Sequence, residues 1–138
     1  MMESEDKRRD FFLNNNSLDE LSVYDDLIKM ILYRIYSDDV DEELFNLIDV
    51  VLQNNITVYV FLVYSGYFNR DGDRIIIKLS DILFEMGQMV KSIYLLNAAL
   101  KMYSGNEEIV LKLSEKYINI GMNEEARELL SRLGKKED

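Results

Sequence analysis

The chain has 138 residues, with 26 acidic and 16 basic side chains and a net charge of −10 at pH 7. Apolar residues make up 48% of it and charged residues 30%, which is typical of a folded globular protein rather than a disordered chain. Cysteine and histidine are absent, which excludes disulfides, thiolate nucleophiles and the commonest metal ligands and general bases. At this length we expect one domain with its own hydrophobic core.

The acidic charge is concentrated in the first half of the chain. Residues 1–70 carry 6 basic and 14 acidic side chains, whereas residues 71–138 carry 10 and 12. A negative surface repels nucleic-acid phosphates and anionic lipids, so we expect neither nucleic acid nor membrane as a partner. The charge either favours a basic protein partner or only keeps the protein soluble. The N-terminus has no signal-peptide pattern, so the expected location is the cytoplasm.

In chain order, the first sixteen residues (1–16) are predicted to form a loose polar tail. The apolar triplet Phe11-Phe12-Leu13 interrupts this tail, and it could dock either on the domain or on a partner. Ser17 and Glu20 have the spacing of a capping box, which predicts that a long leading helix begins there. Apolar residues at helical spacing extend that helix over residues 17–37.

Residues 39–70 are predicted to form a degenerate helical hairpin. Its first helix would be capped by Asp39 or Asp41, and its turn would contain Asn54-Asn55. Within it, residues 56–68 are mostly β-branched and aromatic, which favours a strand locally. The repeat further along the chain requires a helix there, and we follow the repeat. Such a helix is apolar all round, so it is either the central helix of a stack or a homo-oligomer contact.

The second half of the chain contains one helix-turn-helix unit twice, 34 positions apart. The recurring residues are Ile75-Lys78-Leu79-Ser80 with Ile109-Lys112-Leu113-Ser114, Gly87 with Gly121, and Leu95-Leu96 with Leu129-Leu130. Each glycine is expected to end the first helix of its unit in the left-handed conformation. The two hairpins are predicted over residues 73–105 and 106–134, with Asp73 and Asn106 as their N-caps.

A helix-turn-helix period of 34 residues is that of the tetratricopeptide repeat, which these units resemble. The motif Trp-x2-Leu-Gly-x2-Tyr falls on Ile76, Leu79, Ser80 and Leu83, and then on Val110, Leu113, Ser114 and Tyr117. The small residue and the aromatic of the second helix fall on Ser92 and Leu96, and on Ala126 and Leu130. The terminal proline of the motif would fall on Ser104, and the chain contains no proline. The resemblance implies an all-α fold, a right-handed TPR-like α-solenoid of about seven helices over residues 17–138.

The resemblance also implies a binding groove along the first helix of each unit. It places six residues there, namely Ile77, Asp81, Leu111, Glu115, Ile118 and Asn119. Relatives that clamp a terminal carboxylate have lysine and asparagine where this chain has Ile77 with Asp81 and Leu111 with Glu115. The groove is therefore expected to hold an apolar or basic segment of a protein or peptide partner.

We consider two classes of non-enzymatic function. The first is a protein–protein interaction module, an adaptor or small chaperone, with an escort chaperone of the bacterial secretion type as an alternative. The second is a self-assembling structural subunit, forming a homodimer through residues 56–68 or through the C-terminal helix.

No catalytic residue, metal site or cofactor is expected. Adjacent acids such as Glu124-Glu125 point about 100° apart on a helix, so they do not share a site. The loop Asn69-Arg70-Asp71-Gly72-Asp73 fails the spacing of a calcium loop, because Lys78 would stand at its twelfth position. Serines have no histidine to activate them.

Overall fold

A computed structural model describes the backbone of residues 18–53 and 58–137, and the side chains of residues 24–53 and 58–133. In these residues the chain forms helices and no strand, which confirms the all-α prediction. The α-helices are α1 (Leu18–Tyr36), α2 (Glu42–Gln53), α3 (Tyr59–Ser65), α4 (Gly72–Glu85), α5 (Met89–Met102), α6 (Glu107–Asn119) and α7 (Asn123–Glu137), and a 3-10 helix (Gly66–Asp71) joins α3 to α4. The predicted tail, the Ser17 cap and the Asn54-Asn55 turn lie outside the described residues.

Helices α1 and α2 pack against each other through their apolar faces. Asp41 is the residue that caps α2, since the amide of Leu44 donates to its Oδ1 at 2.9 Å. Asp41 also accepts a hydrogen bond from Arg34 of α1 at 2.8 Å, and the same guanidinium contacts Asp39 and Glu43, each at 3.1 Å. One arginine thus ties the end of α1 to the start of α2.

The described part of residues 56–68 is helical, as the repeat required. Helix α3 packs against α1, α4 and α5, and it buries Phe61, Leu62 and Ser65. Val63 and Tyr67 point away from this core and are exposed. The local preference for a strand is overridden because a helix in this position buries apolar surface against three neighbours.

The start of α4 differs from the sequence prediction. The helix begins at Gly72, so Asp73 lies inside its first turn and is not the N-cap. Gly72 is required at this point, because a Cβ there would lie 2.5 Å from the Tyr103 hydroxyl and 2.7 Å from the Ser65 carbonyl oxygen. Asp73 instead accepts a hydrogen bond from the Asn106 side chain at 2.7 Å, which joins the beginnings of α4 and α6.

The two units of the repeat are the helix pairs α4–α5 and α6–α7. The glycines between the helices have positive φ, +82° at Gly87 and +84° at Gly121, as predicted for left-handed helix ends. Asn106 caps α6, since the amide of Ile109 donates to its Oδ1 at 3.0 Å. Within the first unit the two helices approach closely, and the Ser92 hydroxyl donates to the Ser80 carbonyl oxygen at 2.7 Å.

The second unit packs on the first, because α6 lies against α5 as well as against α7. The Asn97 side chain of α5 donates to the Tyr117 hydroxyl of α6 at 2.8 Å. Asp81 of α4 forms ion pairs with Lys112 and Lys116 of α6, at 3.3 and 2.6 Å. Helices α4 to α7 thus pack each on the one before, as in a stack of hairpins, and buried residues from α1 to α7 form one core.

Candidate functional site: an exposed stripe on helix α6

The structure separates the six residues that the sequence placed in a groove. Leu111, Glu115, Ile118 and Asn119 of α6 are exposed, whereas Asp81 of α4 is partly buried. Ile77 has only 4% of its surface exposed. The prediction that Ile77 lines an open groove is therefore wrong, and the predicted site reduces to residues on α6 with Asp81 at its edge.

The burial of Ile77 follows from the position of α4 in the interior. Ile75, Ile76 and Ile77 are consecutive and all buried. Consecutive helix residues point about 100° apart, so a run of three buried ones means that α4 is enclosed on most of its circumference. A residue that the repeat pattern assigns to a surface is covered here by neighbouring helices.

Asp81 is engaged in ion pairs that join the two units. Its carboxylate contacts Lys112 and Lys116, and Lys116 is itself buried, with 5% of its surface exposed. The Lys116 ammonium also lies 4.7 Å from the centroid of the Phe84 ring, within the range of a cation–π contact. The charge of Asp81 is therefore neutralised inside the protein, and it offers little attraction to an outside ligand.

The exposed residues of α6 lie on one face of the helix. Glu108, Leu111, Glu115, Ile118 and Asn119 follow at intervals of three, four, three and one, which places them within an arc of about 100°. We call these five residues the α6 stripe. Leu111 and Ile118 are 51% and 53% exposed, and neither Glu108 nor Glu115 has an ion pair with any described residue.

Glu108 is the member of the stripe that the sequence analysis missed. Its interval of three from Leu111 and seven from Glu115 is the helical spacing that could have revealed it. In the structure, the stripe alternates acidic and apolar residues along almost three helical turns, in the order Glu108, Leu111, Glu115 and Ile118.

Residues 73–138 match the family model of the tetratricopeptide repeat. These residues are therefore TPR-like helical repeats. No curated protein and no solved structure matches the chain. TPR repeats generally mediate protein–protein interactions, and the α6 stripe lies within the matched residues.

No cluster of acidic residues in the described part of the chain could hold a metal ion. All buried side-chain nitrogen and oxygen atoms described here have hydrogen-bond partners. Among the helices described, none has the length and apolarity needed to cross a bilayer.

A second, partly exposed surface lies on α1 and the α3 region. It consists of aromatic rings of α1 and of the α3 region, with ring centroids 6.4 Å apart for Tyr33 and Tyr36, 5.7 Å for Tyr36 and Phe68, and 5.8 Å for Tyr64 and Tyr67. Tyr33 and Tyr67 are the most exposed of the five rings. The rings hold α1 against α3 and the 3-10 helix.

Asp25 of α1, which forms a hydrogen bond with Tyr64, has a perturbed pKa. The Tyr64 hydroxyl donates to the Asp25 carboxylate, which lowers the pKa of Asp25, and Lys29 at 3.1 Å lowers it further, while partial burial opposes both effects. Burial and the same hydrogen bond raise the pKa of Tyr64. The hydrogen bond between Tyr64 and Asp25 thus links α1 to α3.

Proposed function

We propose that this protein is a non-enzymatic protein-binding module, an adaptor or small chaperone, which holds an apolar or basic segment of a partner protein on the α6 stripe. The match to the tetratricopeptide family supports the general class of function. The observation that carries the specific proposal is the exposure of Leu111 and Ile118 on one face of α6, beside Glu108 and Glu115, which form no ion pair with any residue that the structure describes. The proposal includes a cytoplasmic location.

The binding energy would come mainly from the two apolar side chains. Burying a leucine or isoleucine completely contributes about 1.5–3 kcal/mol, and about half of that remains available at Leu111 and Ile118. Part of this gain is offset by the loss of freedom on association, so these two contacts alone support weak binding. The exposed carboxylates of the stripe would select a basic segment and speed its approach.

Affinity capture with the immobilised full chain tests this proposal. The double variant Leu111→Asp with Ile118→Asp places two charges on the stripe. We therefore expect it not to capture the proteins that the wild type captures. The matched control is Val90→Asp, which adds a charge at an exposed apolar residue of α5 outside the stripe. Both variants are first checked by circular dichroism for unchanged helicity.

Two outcomes contradict the proposal. If the double variant captures the same proteins as the wild type, the α6 stripe is not the binding surface. If Val90→Asp abolishes capture and the double variant does not, the partner binds on α5 instead. Light scattering of the wild type tests the alternative function of a self-assembling subunit, because that function requires an oligomer at micromolar concentration.

A further inference from the structure

Equivalent positions of the two units differ in exposure although both units have an apolar residue there. Ile77 is 4% exposed, and its counterpart 34 positions later, Leu111, is 51% exposed. Leu96 is fully buried, and its counterpart Leu130 is 39% exposed. Both residues of each pair are apolar and have the same place in the repeat. The difference in exposure therefore comes from what lies against the helices.

In the first unit, α6 packs against α5, and its lysine side chains reach α4. The Lys116 ammonium lies over the Phe84 ring and contacts the Asp81 carboxylate. The Tyr117 hydroxyl accepts a hydrogen bond from Asn97. The face of α4 and α5 thus makes three kinds of contact with α6. Phe84 provides an apolar ring, Asp81 pairs with a buried lysine, and Asn97 donates a hydrogen bond.

The second unit repeats all three features without a helix over them. Ile118 stands where Phe84 stands, Glu115 where Asp81 stands, and Ser131 where Asn97 stands. Each of the three is exposed, and nothing within residues 18–53 and 58–137 covers them. We define the end face of the stack as Leu111, Glu115, Ile118, Leu130 and Ser131.

We propose that the end face binds an amphipathic helix of a partner protein, which packs on α6 and α7 in the way that α6 packs on α4 and α5. This rests on the proposed function and names the kind of segment bound. The helix would present apolar residues to Leu111, Ile118 and Leu130, and a lysine or arginine to Glu115, as Lys116 is presented to Asp81.

The charges near the end face favour the same kind of helix. A shallow depression on α7 is lined by Glu124, Arg127, Glu128 and Ser131, two acids to one base. Glu108 and Glu115 add two further carboxylates on α6. A basic amphipathic helix is therefore complementary to this surface, whereas an acidic one is repelled.

The test uses a pair of synthetic peptides and the full chain. One is an 18-residue helical peptide with leucines along one face and lysines flanking them, and its twin carries glutamate in place of every lysine. Fluorescence anisotropy of the labelled peptides measures binding to the wild type and to variants. The lysine peptide is expected to bind at least about tenfold more tightly than the glutamate peptide.

Two variants locate the binding to the end face. Glu115→Lys is expected to abolish or reverse the preference for the lysine peptide. Leu130→Asp, which lies on α7 outside the α6 stripe, is expected to weaken binding about tenfold or more, while Val90→Asp leaves it unchanged. Glu115 is exposed, so its substitution tests the proposal even if Leu130→Asp impairs folding.

Three results overturn the proposal. The first is equal binding of the two peptides to the wild type, and the second is an unchanged preference in Glu115→Lys. The third is a wild-type dimer that Glu115→Lys or Leu130→Asp converts to monomers, because the end face then binds a second copy. If these variants have no effect while Leu111→Asp with Ile118→Asp abolishes partner capture, the proposed function stands without the stacked helix.

Discussion

The ion pair between Asp81 of α4 and Lys116 of α6 is expected to stabilise the contact between the two units. Lys116 is buried, and its ammonium lies 2.6 Å from Asp81 Oδ1 and 4.7 Å from the centroid of Phe84. Asp81→Ala removes the carboxylate and leaves the ammonium in a site that is largely closed to water. We therefore expect Asp81→Ala to lower the free energy of unfolding.

The size of this loss follows from the exposure of the two side chains. Removing one partner of a fully buried ion pair costs about 3–5 kcal/mol. The Asp81 side chain is 39% exposed, so water that enters in its place solvates Lys116 in part and reduces the cost to about 1–2 kcal/mol. Lys112, at 3.3 Å and partly exposed, adds less than about 0.5 kcal/mol. The thermal midpoint is then expected to fall by roughly 3–8 °C.

Urea unfolding followed by far-ultraviolet circular dichroism measures this loss. Lys116→Met is the paired change, because it removes the charge and keeps an unbranched apolar chain against Phe84. Introduced into Asp81→Ala, it is expected to recover at least half of the lost stability. If Asp81→Ala changes the free energy of unfolding by less than about 0.5 kcal/mol, or if Lys116→Met adds to the loss, the ammonium is not held as we describe.

Three further predictions concern the turn at Gly121, the Asn106 cap of α6 and the hydrogen bond between Tyr64 and Asp25. Gly121→Ala is expected to lower the free energy of unfolding by about 1–2 kcal/mol because φ is +84°, although no atom lies within 4 Å of the new Cβ. Gly66→Ala is the control, because Gly66 has equally open space around it but a helical φ. In chemical denaturation, this variant should have an unchanged or slightly higher free energy of unfolding. Asn106→Ala removes the cap of α6 and should cost about 1 kcal/mol, and an unchanged thermal midpoint would show that the cap is dispensable. Tyr64→Phe removes the hydrogen bond that lowers the pKa of Asp25. A lowered pKa in the folded state stabilises the protein above the unfolded-state pKa of about 4, and this gain is lost as the pH falls through the folded-state value. Urea titrations should therefore show the variant less stable than the wild type at neutral pH and the difference shrinking in acid; a constant difference would contradict this assignment.

The sequence alone was sufficient for the features that depend on neighbouring residues. The 34-residue repeat predicted the helices of both units and the left-handed turns at Gly87 and Gly121. Asn106 as a cap was predicted from its position before two glutamates. Each of these features is decided within one or two helical turns, by hydrogen bonds and backbone conformations that the local residues determine.

Local preference was a poor guide where packing competes with it. Residues 59–65 favour a strand by composition, yet they form α3 because three helices pack against its buried face. Asp73 has the residue type of a cap, but α4 begins one residue earlier, where only a glycine fits against Ser65 and Tyr103.

The location of the candidate binding surface was decided only by the tertiary structure. Ile77 and Leu111 have the same place in the repeat and similar side chains, yet α6 lies against the first unit and leaves the corresponding face of the second unit open. A periodic sequence shows which residues are equivalent, because equivalence is a property of the pattern. Exposure depends on which other helix lies against each residue, and that is determined by contacts between residues far apart in the chain.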